Sequence, residues 1–182
     1  MANENREKIR LNLGCGSKIL AGYINLDKFQ IPGVDVVHDL EKYPYPFKAN
    51  TFVEVECNMI LEHIEDLVSI MRELYRICKN GALLKIKVPY FSCASNFIDP
   101  THRRLFSYYS FDFFTKDEEY NEFMFDSSMP VFKIVKRKII FYSIYKIFEP
   151  LFNLKFLVKP YTGALSYLIP AGELYFELRV VK

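Results

Sequence analysis

Two glycines and two aspartates carry the first chemistry legible in this chain. Gly14-Cys15-Gly16 follows the run Arg10-Leu11-Asn12-Leu13, Asp27 closes Asn25-Leu26-Asp27, and Asp39-Leu40 follows Val36-Val37-His38. Each apolar run reads as a short strand, so the three polar groups sit at strand ends. Glycine lets the backbone come close to a ligand and offer its N–H groups to an anion. A carboxylate at the next strand tip can accept hydrogen bonds from both hydroxyls of a ribose. Such bonds to a charged group are worth about 1.5–3 kcal/mol each. Asp39 can take the exocyclic amine of adenine while a neighbouring backbone N–H serves a ring nitrogen. Three strand ends facing one crevice make a nucleoside site in an open α/β sheet. Taken singly, each residue also reads as a turn or a cap. Ile19 stands where a dinucleotide fingerprint has its third glycine, so the turn suits a smaller anion than pyrophosphate.

A second cluster is Asp99-Pro100-Thr101-His102-Arg103-Arg104, just past the fifth strand. With Tyr90 it is the expected substrate-binding region: Tyr90, Asp99, Arg103 and Arg104 supply donors and a carboxylate for a hydroxylated or anionic acceptor. His102, and His63 earlier in the chain, are the candidate bases because histidine titrates near neutrality. Replacing His102 is expected to spare cofactor binding and stop turnover. A structural turn capped by Asp99, with an arginine paired to a carboxylate, is the competing reading.

The elements that position these groups follow from hydrophobic period. Residues 9–14, Tyr23–Asp27, Val34–Val37, Thr51–Cys57 and 82–88 read as strands. From Ile60 to Cys78 the spacing is helical, with Asp66 as N-cap and Asn80-Gly81 as the stop. The eight residues between Gly14 and Tyr23 are short for a parallel crossover, which cuts the first helix to about one turn; an antiparallel hairpin is the alternative. Val131–Tyr142 reads as a strand. Leu174, Phe176, Leu178 and Val180 alternate with Glu173, Tyr175, Glu177 and Arg179 as a final antiparallel strand.

In order and spacing these motifs resemble class I S-adenosylmethionine-dependent methyltransferases, within a subgroup of uncharacterised methyltransferase-like proteins. The likeness covers about residues 9–110 and includes Leu61-Glu62-His63-Ile64 and Glu73-Leu74-Tyr75-Arg76-Ile77-Cys78-Lys79-Asn80-Gly81. It implies an α/β, Rossmann-like three-layer sandwich: a mostly parallel seven-stranded sheet with an antiparallel last strand. It implies S-adenosylmethionine as cofactor, with S-adenosylhomocysteine as product. Gly14, Cys15 and Gly16 would hold the methionine part, Asp27 the ribose, and Asp39 and Leu40 the adenine. Asn58 and Met59, with His63, would line the path to the methyl group. Asn12 stands where that family usually has an acidic residue and Lys18 where many members have a glycine.

The 182 residues, 51% hydrophobic and 25% charged, are expected to form one domain, with an insertion at 92–128 and an aromatic segment at 143–170. A net charge of +2 gives no electrostatic footprint for nucleic acid. Four scattered cysteines argue for a reducing cytoplasm and against a disulfide framework or a thiolate metal site; no metal is expected. The polar N-terminus lacks a signal-peptide core. The aromatic segment reads first as core packing on the sheet edge; a homodimer face, or a lid that touches a membrane surface or a bulky acceptor, are the alternatives. The expected function is methyl transfer to a small or medium-sized acceptor. A non-catalytic module that binds the same nucleoside is the rival; aminopropyl transfer and nicotinamide chemistry rank lower.

Overall fold

Short apolar runs become strands wherever alternate side chains can share one dry face. They are β1 (Arg10–Leu13), β2 (Ile24–Asp27), β3 (Val36–Val37), β4 (Phe52–Asn58), β5 (Cys78–Pro89), β6 (Phe132–Ile140) and β7 (Glu173–Val180). This computed structural model describes residues 9–115 and 129–182. The seven strands lie in the order β3-β2-β1-β4-β5-β7-β6. β1 to β5 pair in parallel, while β7 is antiparallel to both β5 and β6. The last strand therefore runs against all the others, as expected. Leu11 faces Ile24 in a parallel register, which replaces the hairpin alternative.

The first crossover contains no helix, not even the expected single turn. Two buried amides do the helix's work. Asn12 Nδ2 donates to the Lys18 carbonyl at 2.8 Å and to Asn25 Oδ1 at 2.9 Å. Asn25 Oδ1 also accepts from the Leu20 N–H at 2.9 Å, and its Nδ2 donates to the Leu20 and Tyr23 carbonyls at 3.2 Å. The loop's backbone groups are thus satisfied by side chains instead of by a helix ladder.

α1 (Leu67–Ile77) has its expected N-cap. Asp66 caps it by accepting from the Ser69 N–H at 3.0 Å. Ile70, Met71, Leu74 and Ile77 form its buried stripe. The helix begins later than the period suggests: Leu61–His63 is a separate 3-10 turn. It also ends earlier. Cys78 already pairs with Phe52, and the register then jumps to Glu54 opposite Leu83. Asn80-Gly81 is therefore a bulge inside β5 and not a helix stop. Gly81 permits it with φ of 77°.

One apolar cluster runs from Leu11 to Val180. α1 reaches it through Tyr75 against Phe132, and the segment after β5 through Phe111 against Phe176. The other sheet face is polar. Lys85 pairs with Glu54 at 3.0 Å and Lys136 with Glu177 at 3.8 Å. Sheet order and direction match the expected Rossmann-like fold, and α1 packs into the apolar cluster through Ile70, Met71, Leu74 and Ile77. The crossovers β1–β2 and β2–β3 hold no helix.

The remaining helices are short: α2 (Ser95–Ile98), α3 (Glu149–Phe152) and α4 (Lys155–Gly163), with 3-10 turns at Asp112–Phe114, Ser143–Phe148 and Leu165–Tyr167. Of the expected insertion, residues 116–128 lie outside the described residues. In the aromatic segment Phe152 and Tyr161 stack on each other and pack against Phe141. Ile144, Ile147, Phe156, Tyr167 and Leu168 are exposed. Core packing thus accounts for part of that segment only. No helix among the described residues is long and apolar enough to cross a membrane.

Candidate active site

The end of β1 accepts only glycine at Gly14. Its φ is 62°, and a Cβ there would lie 2.3 Å from Ile60 Cγ1. Gly16, with φ of 49°, has open space beside it. Its N–H donates to Asp27 Oδ2 at 2.8 Å, and the Phe29 N–H donates to Oδ1 at 3.0 Å. Asp27 is 9% exposed. These bonds fix the carboxylate and leave each oxygen a further lone pair for a ligand hydroxyl.

Gly14, Gly16, Asp27, Asp39, Leu40, Met59 and His63 line one cleft of about 610 Å³, within the range of small-molecule sites. Asp27 and Asp39 therefore share a cavity. Asp39 also caps a turn: its Oδ1 accepts from the Glu41 N–H at 3.1 Å. Leu40 is buried, and its carbonyl accepts from the Tyr45 hydroxyl at 2.9 Å.

Cys15 and Asn58 do not line that cleft. They face a smaller cavity of about 260 Å³ on the other side of the turn, with Asn12, Gly14, Lys18 and Glu56. Asn58 Oδ1 is buried there without a hydrogen-bond partner. Burial raises the Cys15 thiol and the Glu56 carboxyl above their ordinary values.

A third cleft of about 440 Å³ is lined by Met59, Glu62, His63, Asp99, His102, Tyr142 and Glu173, among others. Met59 and His63 border both this cleft and the one that holds Asp27. Met59 takes a φ of 53°, and its N–H donates to the Lys87 carbonyl at 2.8 Å. That left-handed residue turns the chain at the junction of the two clefts.

The structure brings His63 and His102 together, with ring centroids 4.8 Å apart. Burial, with His63 alongside, lowers the His102 pKa against the opposing pull of Asp99. Thr101 Oγ1 donates to Asp99 Oδ1 at 2.6 Å and lies 2.9 Å from His63 Nδ1. The Thr101 hydroxyl and N–H hold the Asp99 carboxyl below its usual value. Glu62 is a residue that sequence reasoning missed. It is 1% exposed, its Oε2 has no hydrogen-bond partner, and burial pushes its pKa up to about 7. Its position next to His63 was the available signal. Phe29, Ile60 and Thr101 line the larger cleft as well and were not among the expected site residues, although Ile60 opened the helical spacing and Thr101 lay in the second cluster.

Arg103 lines the larger cleft, while its guanidinium pairs with Glu65 at 3.1 Å and its N–H donates to the Glu62 carbonyl at 2.7 Å. Arg104 donates to the Ile64 carbonyl at 3.1 Å and to that of Glu65. These bonds strap the segment after β5 to the turn after β4. Tyr90 is fully buried between Phe91 and Tyr161 and lines none of the three cavities.

Residues 11–86 match the model of a methyltransferase domain family. No curated protein sequence matches the chain. Among solved structures, a SAM-dependent methyltransferase from Archaeoglobus fulgidus is similar at a TM-score of 0.62 and 16% identity, over 94% of this chain and 86% of that one. The YcgJ protein from Bacillus subtilis follows at 0.59 and 13%, over 97% and 92%. A chain from the Haloferax volcanii complex containing the Trm112 methyltransferase activator gives 0.57 and 14%, over 97% and 84%. At these identities the structural likeness is one of fold. Motif order and chain path agree with the matched domain: residues 11–86 are similar to the methyltransferase domain family, the fold is that of S-adenosylmethionine-dependent methyltransferases, and the likeness implies S-adenosylmethionine as cofactor.

Proposed function

We propose that the protein transfers a methyl group from S-adenosylmethionine to a small or medium-sized acceptor seated in the cleft bordered by His63 and His102. The carrying observation is that Asp27 and Asp39, on separate strand ends, line one cavity with the Gly14–Gly16 turn. The residues fit the adenosyl part: a fixed carboxylate for the ribose, Asp39 and the Leu40 backbone for the base, and no Cβ at Gly14 or Gly16. The smaller cavity suits the amino-acid end, since Lys18 carries a positive charge and Asn58 Oδ1 awaits a donor. Bound there, the cofactor supplies an electrophilic methyl on a sulfonium.

The protein's part is alignment, exclusion of water and proton handling. Met59 and His63 border both clefts, so an acceptor in the second meets the first at their side chains. His63 and His102 are the candidate bases. Asp99 and Arg103 remain candidates for acceptor contact, whereas Arg104 and Tyr90 act by holding the walls in place.

Calorimetry with S-adenosylhomocysteine tests the reading. We expect binding by the unaltered protein and a loss of about 10- to 100-fold in Asp27→Asn, matching one or two weakened charge-assisted hydrogen bonds. Equal affinity in the two proteins removes Asp27 from the ribose site. Absence of binding in the unaltered protein defeats the proposal.

A further inference from the structure

Glu62, His63 and His102 each offer one metal-ligating atom, and the three atoms lie within 4.8 Å of one another. The segments that deliver them are held together independently, by the Arg103 N–H on the Glu62 carbonyl and by Arg104 on Ile64. Bonds within the protein leave a lone pair on each residue. Thr101 has one hydroxyl proton and gives it to Asp99, so His63 Nδ1 must be the donor to Thr101 Oγ1. That fixes the tautomer with its lone pair on Nε2, the arrangement by which a neighbouring group prepares a histidine for metal. His102 Nδ1 is buried with no hydrogen-bond partner, and so is Glu62 Oε2.

Charge points the same way. Glu62, Asp99 and Glu173 line this cleft, and neither lysine nor arginine does. Glu173 is matched by Lys87 from outside. The 1% exposed Glu62 carboxylate has no cation beside it, a costly arrangement that a bound ion would relieve.

We propose that Glu62, His63 and His102 form a divalent metal site of the two-histidine, one-carboxylate kind that zinc takes in catalytic centres, with its remaining position open to an oxygen, nitrogen or sulfur atom of the acceptor. Ligand atoms about 2.0–2.1 Å from zinc lie about 3.4 Å apart in a tetrahedron, so binding draws the three side chains inward. The ion site stands on these residues alone; its assignment to the acceptor rests on the function proposed above, and with the ion bound His63 and His102 act as ligands and not as bases.

The test is zinc titration by calorimetry on chelator-stripped full-length protein, with cobalt substitution read by visible absorption. One equivalent should bind, and cobalt should give the intense bands of a tetrahedral site. Glu62→Gln and His102→Asn should each abolish stoichiometric binding, and Thr101→Val should weaken it by about 10- to 100-fold by releasing the His63 tautomer. Circular dichroism confirms that each variant is folded. A folded, unaltered protein that takes up no zinc overturns the proposal. So does uptake undiminished in both ligand variants. S-adenosylhomocysteine titrations on the same samples keep the two readings apart. Zinc binding without nucleoside binding would leave the metal site standing and remove methyl transfer, and the reverse would do the opposite.

Discussion

Gly14 and Asp27 show how one residue serves both fold and ligand. Gly14 gives way to Ile60 on one side and forms the cleft wall on the other, so an added methyl has no room. Gly14→Ala should lower stability by about 1–3 kcal/mol through its strained φ and the forced shift of Ile60, and urea unfolding measures it. Asp27 spends one lone pair of each oxygen on the Gly16 and Phe29 N–H groups, and the turn it fixes is the turn that faces the ligand. The aspartates were legible because a carboxylate at a strand tip is a local pattern. Glu62 was not, since its burial depends on residues about forty positions further on. Arg104 and Tyr90 were read as acceptor contacts from their types alone. The hydrogen bonds of Arg104 to the Ile64 and Glu65 carbonyls and the burial of Tyr90 are set by distant partners.

Among elements, the crossover from β1 to β2 departs furthest from expectation. Eight residues cannot close a helix over a parallel pair, and Asn12 and Asn25 hold the loop in its place. The Asn12 amide is committed to the Lys18 carbonyl and to Asn25. Asn25→Ala would leave the Leu20 N–H and the Asn12 amide without their acceptor. A loss of about 1–3 kcal/mol for each buried unpaired group follows, seen as a lower Tm with the strand order intact. The helix stop at Asn80-Gly81 failed for a related reason. Glycine after an asparagine marks a left-handed residue, and a strand bulge uses one as readily as a helix end does.

Across the whole molecule, Glu73 and Arg76 couple α1 to the Leu40 end of the cleft. Glu73 Oε1 accepts from the Tyr45 N–H at 2.6 Å, and Arg76 bonds Glu73 and the Phe47 carbonyl, at 2.9 Å for the latter. Tyr45 in turn holds Leu40. Burial pushes the Glu73 carboxyl up, but the Arg76 and Tyr45 hydrogen bonds outweigh it and the net pKa falls below 4.5. A depressed carboxyl contributes stability that is complete above its unfolded value and lost as pH falls through the folded one. Stability should therefore drop as pH falls below about 4.5, and Glu73→Gln should flatten that part of the profile in pH-dependent thermal melts. The sequence by itself determined the strands, the α1 stripe and its Asp66 cap, the glycine turn and the two aspartates, because period and capping act within a few residues. Tertiary structure alone decided that the first crossover holds no helix and that the glycine turn borders two cavities. It also decided that Glu62, His63 and His102 converge. Each of these depends on contacts between segments far apart in the chain, which no local pattern specifies.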